Sequence, residues 1–166
     1  MIARLASLAL LLIRPGEPVG PLTLTDQYEK GWQLSDLHGA VVILIDGDLQ
    51  GSQFNSAWGR AVRARYQDRN LVHVVFAAHL TAAPALLHGF VRGKFLSKDP
   101  AHPASPILLD WKGVIARRFG FRDNVANIYV IDRDGTLRYS TAGRATQGEL
   151  APLFAALDGL IPAAPQ

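Results

Sequence analysis

The apolar positions along the chain change their spacing from segment to segment, and each spacing predicts an element. Residues 41–45 (VVILI) are uninterruptedly apolar, the pattern of a strand buried on both faces of a sheet. From Phe54 the apolar residues fall at 54, 57, 58, 61, 62 and 66, with Ser56, Arg60, Arg63 and Gln67 between them. That is a helical period, and Ser52 is placed to cap the helix. Residues 71–78 (LVHVVFAA) and 106–110 (PILLD) read as two more strands, and Pro84 is placed to start a helix over 84–97. A short helix is expected at 113–119. Strands at 127–132 and 136–140 flank Arg133-Asp134-Gly135, whose Asp-Gly pair marks a hairpin. A helix at 147–157 closes the domain with Leu150, Leu153, Phe154 and Leu157 on one face. Upstream, 31–34 reads as a short strand and 35–39 as a turn. The early β-α-β crossover demands parallel strands and the hairpin adds antiparallel ones. The expected class is therefore α/β: a central mixed β-sheet with helices on both faces and an inserted segment at about 79–105.

The 166 residues suit one domain over 21–160, preceded at 1–20 by an apolar segment with a Pro/Gly linker and followed by a Pro/Ala tail at 161–166. Hydrophobic residues at 49% against 19% charged exclude a mainly disordered chain. The nine-residue, largely apolar run at 5–13 (LASLALLLI) is too short to cross a bilayer. With Arg4 before them they suit the core of a signal peptide, a candidate signal remnant. Arg14 directly after them and the lack of an A-x-A pattern suit a docked strand or helix instead. Export would place the protein in the periplasm or cell envelope; otherwise it is cytoplasmic. The chain has no cysteine, which excludes thiolate nucleophiles, disulfides, iron–sulfur clusters and cysteine-ligated zinc.

Three phrases carry a family resemblance. Trp32-Gln33-Leu34-Ser35-Asp36-Leu37-His38-Gly39, running into the 41–45 strand, resembles the approach to the first central strand in the redoxins, the TlpA-like and peroxiredoxin-like branch of the thioredoxin superfamily. Ser105-Pro106-Ile107-Leu108-Leu109-Asp110 with Gly113-Val114-Ile115-Ala116-Arg117 is similar to a second redoxin segment, and Ile128-Tyr129-Val130-Ile131-Asp132-Arg133-Asp134-Gly135 to the family's hairpin. The likeness spans about 31–157 in matching order, and within the branch the chain is most similar to the YtfJ-like bacterial envelope proteins. It implies a thioredoxin-like fold.

In the redox-active members, two cysteines follow the first central strand at a helix N-terminus, where backbone N–H groups stabilise a thiolate. Here Gly51 and Phe54 stand at those positions. The family's cis-proline before the hairpin strand corresponds to Ala126 in Val125-Ala126-Asn127-Ile128. The resemblance thus implies the scaffold without thiol–disulfide exchange, peroxidase activity or a cofactor.

Other chemistry has few candidates. Ser52 could bind a thiolate or anion as serine does in glutathione-binding relatives of the fold, although an ordinary helix cap is the simpler reading. Asp46 and Asp48 flank Gly47, where carboxylates can hold a cation or act as acid and base; a solvated turn is the plainer account, because no third ligand can be named. Asp132-Arg133-Asp134-Gly135-Thr136-Leu137 resembles the opening motif of haloacid-dehalogenase phosphatases, but no lysine follows it, so a hairpin turn is expected. His38, His73, His79, His88 and His102 show no metal-binding spacing, and no metal site is expected; His79 could join His88 or His102 only through the tertiary fold.

Between 49 and 109, seven bases (Arg60, Arg63, Arg65, Arg69, Arg92, Lys94 and Lys98) face two acids, Asp68 and Asp99, within a net charge of +3. Arg60, Arg63, Arg92 and Lys94 are the candidate partner-binding residues, for an unknown protein, a small anionic ligand or a membrane surface. No aromatics interleave with them as a nucleic-acid platform requires. Trp32, Trp58 and Trp111 are expected in the core. Together these features predict a redox-inactive thioredoxin-like binding module in the cell envelope, the alternative being a thiol-independent enzyme or glutathione- or anion-binding protein using the 46–54 loop.

Overall fold

A computed structural model describes residues 12–66, 71–97 and 105–161. The apolar run at 5–13 except its last two residues, together with Arg69, Lys98, His102 and the last five residues of the tail, lies outside the described residues.

The continuous apolar run becomes β3 (Val41–Gly47), buried at every position, as a strand covered on both faces must be. Parallel to it lies β4 (Val72–His79), and parallel to β4 lies β5 (Ile107–Asp110). On the other side β6 (Ala126–Ile131) runs antiparallel to β3, and β7 (Leu137–Gly143) antiparallel to β6. Beyond β5, β1 (Thr23–Asp26) and β2 (Gly31–Gln33) complete the seven-stranded order β2-β1-β5-β4-β3-β6-β7. β1 has no counterpart in the sequence reading. Its four residues, TLTD, include one apolar side chain, and pairing with β2 and β5 makes it a strand.

Side chains alternate across β3 with period two and divide the core into two layers. Val41, Ile43 and Ile45 pack with Trp58 and Val62 of α1 (Asn55–Arg65) and Leu153 and Leu157 of α4 (Gln147–Asp158). Val42 and Leu44 pack on the opposite face with Ile115 and Phe119 of α3 (Val114–Phe119) and with Val19 and Leu22. The α/β class with helices on both faces is thereby observed.

Four local expectations are corrected. The helix expected over 84–97 is only a 3-10 turn, Ala85–Leu87, followed by α2 (His88–Gly93). Its apolar residues have no core to cover: Leu86 is 98% and Phe90 66% exposed. Ser52 does not cap α1. It lies inside a 3-10 turn, Gly51–Phe54, and its hydroxyl donates to the Leu49 carbonyl at 3.3 Å. β3 continues two residues past the expected strand, so Asp46 is a buried strand residue and not part of a solvated turn. Of the three tryptophans only Trp58 is fully buried, its Nε1 donating to the Gly143 carbonyl at 3.1 Å. Trp32 is half-buried at the sheet edge, donating to Asp26 Oδ2 at 2.8 Å, and half-buried Trp111 stacks on His88 with ring centroids 3.9 Å apart.

Candidate functional site

The three parallel strands β3, β4 and β5 end side by side: β4 ends on His79, β5 on Asp110, and β3 carries Asp46 one residue before its end at Gly47. Register places Asp46 opposite Ala77 and His79 opposite Asp110, so Asp46, His79 and Asp110 converge at the carboxyl end of the sheet. In open α/β sheets this is the end at which ligands bind. One ligand atom from each of the three lies within 4.8 Å of the others.

Each member is held differently. Asp110 is fully buried and accepts from the backbone N–H groups of Val114 and Ile115, both at 2.8 Å, so it anchors the start of α3. His79 Nε2 pairs with Thr81 Oγ1 at 2.9 Å, and its ring stacks on Phe121 at 4.3 Å. Gly113, in the left-handed region at φ 64°, permits this closeness: a Cβ there would meet Thr81 Cγ2 at 2.9 Å. Asp46 has no exposed surface, and among the described residues only the adjacent Gly47 N–H approaches its carboxylate, outside normal hydrogen-bond geometry; His79 Nδ1 is likewise buried and unpartnered. Burial, with the Asp110 charge beside it, pushes the Asp46 carboxyl up to about 7. Burial also raises the neighbouring Tyr129 phenol, whose hydroxyl donates to the Gly120 carbonyl at 2.5 Å.

The loop after β3 is closed by a different carboxylate. Asp48 Oδ1 accepts from Gly51 N at 2.6 Å and Gln50 N at 3.1 Å, while Oδ2 accepts from Asn124 N at 2.8 Å. Two loops distant in sequence are thus tied by one side chain. Gly51 is buried against Val125, where an added Cβ would stand 2.3 Å from the carbonyl oxygen. Phe54 is half-buried, with the Arg144 guanidinium 4.8 Å over its ring. Ala126 is fully buried in β6 and pairs with Gly143; no cis peptide bond occurs among the described residues.

Solved structures share this fold over most of the chain. A Chlorobium tepidum protein described as a thiol:disulfide interchange protein, DsbE, superposes with a TM-score of 0.63 at 24% identity, covering 87% of this chain and 99% of that one. The exposed lipoprotein thioredoxin Etrx1 of Streptococcus pneumoniae gives 0.60 at 17% identity over 84% and 99% of the two chains. A thiol peroxidase from Chromobacterium violaceum gives 0.56 at 13% over 90% and 89%. The fold is thioredoxin-like. No protein-family model and no curated protein sequence matches the chain.

Within this thioredoxin-like fold, the absence of cysteine leaves no thiol for disulfide chemistry, and the site residues sort unevenly. Asp46 belongs to the convergent trio. Asp48 is structural, and Ser52 is exposed on its own turn. The candidate basic residues are partly committed to internal contacts. Arg92 is ion-paired with Glu29, Lys94 lies 4.6 Å over Phe90, Arg63 lies 5.3 Å over Phe76, and Arg60 donates to Ser56 Oγ at 3.3 Å. Arg65, also counted in the basic stretch, pairs with Asp158 at 2.6 Å; that carboxylate is held below its ordinary range by hydrogen bonds from Tyr66 and Arg65. The hairpin reading of the 132–137 phrase holds: Asp132 accepts from Asp134 N and Thr136 N and pairs with Arg138 at 2.5 Å.

Sequence reasoning missed His79 and Asp110 as companions of Asp46; of the two histidines it offered beside His79, His102 lies outside the described residues. His88 stacks on Trp111 and contacts the Ala83 carbonyl instead. The only sequence trace of the trio is a titratable residue at or next to the carboxyl end of each of three strands. Their adjacency depends on strand order.

Proposed function

We propose that the protein is a redox-inactive thioredoxin-like domain that acts as a binding module in the bacterial cell envelope. The observation that carries this reading is Gly51 against Val125: the position where the resemblance expects a thiol has no cysteine and no room for one. A scaffold that keeps its sheet and both helical layers, while main chain fills its reactive position, retains surfaces rather than chemistry. Three features support the envelope: the resemblance to YtfJ-like proteins, the apolar run at 5–13, and the likeness to a lipoprotein described as exposed. Among the described residues, no helix is long and apolar enough to cross a membrane. The contact surface is assigned to the basic outer side of α1, where Arg60 and Arg63 have no acidic partner among the described ion pairs.

Cell fractionation followed by crosslinking in envelope extract tests this, with Arg60→Glu/Arg63→Glu run in parallel. The expected result is recovery in the envelope fraction and one stoichiometric protein partner that the double variant loses. Recovery in the cytoplasm overturns the location. Saturable glutathione binding removed by Ser52→Ala, with no protein captured, overturns the module in favour of a small-ligand site at the 46–54 loop.

A further inference from the structure

We infer that Asp46, His79 and Asp110 form a binding site for a divalent first-row transition-metal ion, with Zn(II) as the representative. This goes beyond the binding-module reading and stands without it. Three adjacent parallel strands deliver the three side chains, and their ligand atoms lie within 4.8 Å of one another. Two metal–ligand bonds of about 2.1 Å span at most roughly 4.2 Å, so only a small inward movement closes the set on an ion.

An independent observation turns this cluster into a site. Asp46 is wholly buried, yet apart from the adjacent Gly47 N–H, which lies outside normal hydrogen-bond geometry, no donor among the described residues reaches either of its oxygens. A buried carboxylate ordinarily has its lone pairs satisfied, because an unpaired one is costly. The imidazole beside it is oriented to match. Thr81 occupies Nε2 and leaves Nδ1 buried and unpartnered, while Phe121 fixes the ring plane. Metal-ligating histidines characteristically have their second ring nitrogen held in this way. Asp110 is oriented by the two N–H groups of α3 and retains a lone pair on each oxygen. The two carboxylates repel, and a cation between them removes that repulsion.

The donor set is one nitrogen and two carboxylate oxygens without sulfur. It suits Zn(II), Co(II), Mn(II) or Fe(II) and disfavours Cu(I). Three protein ligands leave further coordination positions for water or a ligand group.

The untagged full-length chain, stripped with chelator, is titrated with Zn(II) by calorimetry and with Co(II) by visible absorption. A single saturating site is expected, with d–d bands of nitrogen and oxygen coordination and a higher Tm in the metal-loaded protein. Asp46→Asn and His79→Gln, each verified as folded by circular dichroism, should weaken binding by about 100-fold or more. Two variants are used so that a folding defect in one does not decide the matter. The site is overturned if the wild type shows no saturable binding, or if both folded variants bind as the wild type does, which would put the ion on surface histidines such as His38 or His88. Greater stability of Asp46→Asn with no metal uptake by the wild type also overturns it, because the trio then holds only a proton.

Discussion

Gly51 lies so close to the main chain of Val125 that a Cβ at Gly51 would stand 2.3 Å from the Val125 carbonyl oxygen and 2.9 Å from its nitrogen. These are backbone atoms, which cannot swing aside as the end of a flexible side chain can. Gly51→Ala should therefore destabilise the protein by roughly 1–3 kcal/mol, the usual cost of overpacking. Gly51→Cys/Phe54→Cys should be at least as unstable and should not reduce insulin disulfides. Urea unfolding with an insulin-turbidity assay checks both; a stable, reducing double variant would show the position to be merely vacant of its thiols.

Asp48 is the only side chain that joins the 48–51 turn to Asn124 by hydrogen bonds among the described residues. Asp48→Ala leaves three backbone N–H groups without that acceptor, so a loss of about 1–3 kcal/mol is expected. Amide exchange should quicken at Gly51 and Asn124 before it does in β3. Uniform quickening instead would mean that the carboxylate acts on the whole fold.

The Asp46 carboxyl sits near 7 in the folded chain against an ordinary value of 3.8. Below about pH 4 both folded and unfolded states hold this proton, and the group contributes no pH dependence. Between there and pH 7 the unfolded state gives up the proton while the folded state keeps it, so stability falls as pH rises and levels off above 7. In chelator-treated protein the loss should be on the order of a few kcal/mol. Asp46→Asn should flatten this slope, as read from denaturant midpoints between pH 4 and 8.

Trp58 is wholly buried beneath α4 and donates to the Gly143 carbonyl at the end of β7. Trp58→Phe leaves that carbonyl unpaired and opens space beside Val62 and Leu153. A destabilisation of roughly 2–4 kcal/mol is expected from the two effects together, with the slope of the urea transition unchanged.

Much of the scaffold was legible because it is periodic. The unbroken apolar run at 41–45 has the pattern of a strand with two covered faces, and the Asp-Gly pair at 134–135 that of a hairpin turn; both form as read. Where periodicity was weak the reading erred. The 84–97 stretch has apolar residues but two glycines and no facing core, and it forms one short helix. β1 was invisible because pairing, not hydrophobicity, makes it a strand.

By itself, the sequence determined the α/β class, the two helical layers and the exclusion of thiol chemistry, because periodicity and composition are local properties that need no partner across the fold. Tertiary structure alone decided that Asp46 leaves the turn for the core, that Asp48 rather than Ser52 organises the following loop, and that Val125 fills the space at Gly51. It alone brought Asp46, His79 and Asp110 together across gaps of more than thirty residues. Strand order sets that adjacency, and strand order is the outcome of the whole sheet closing at once rather than of any one segment's preference.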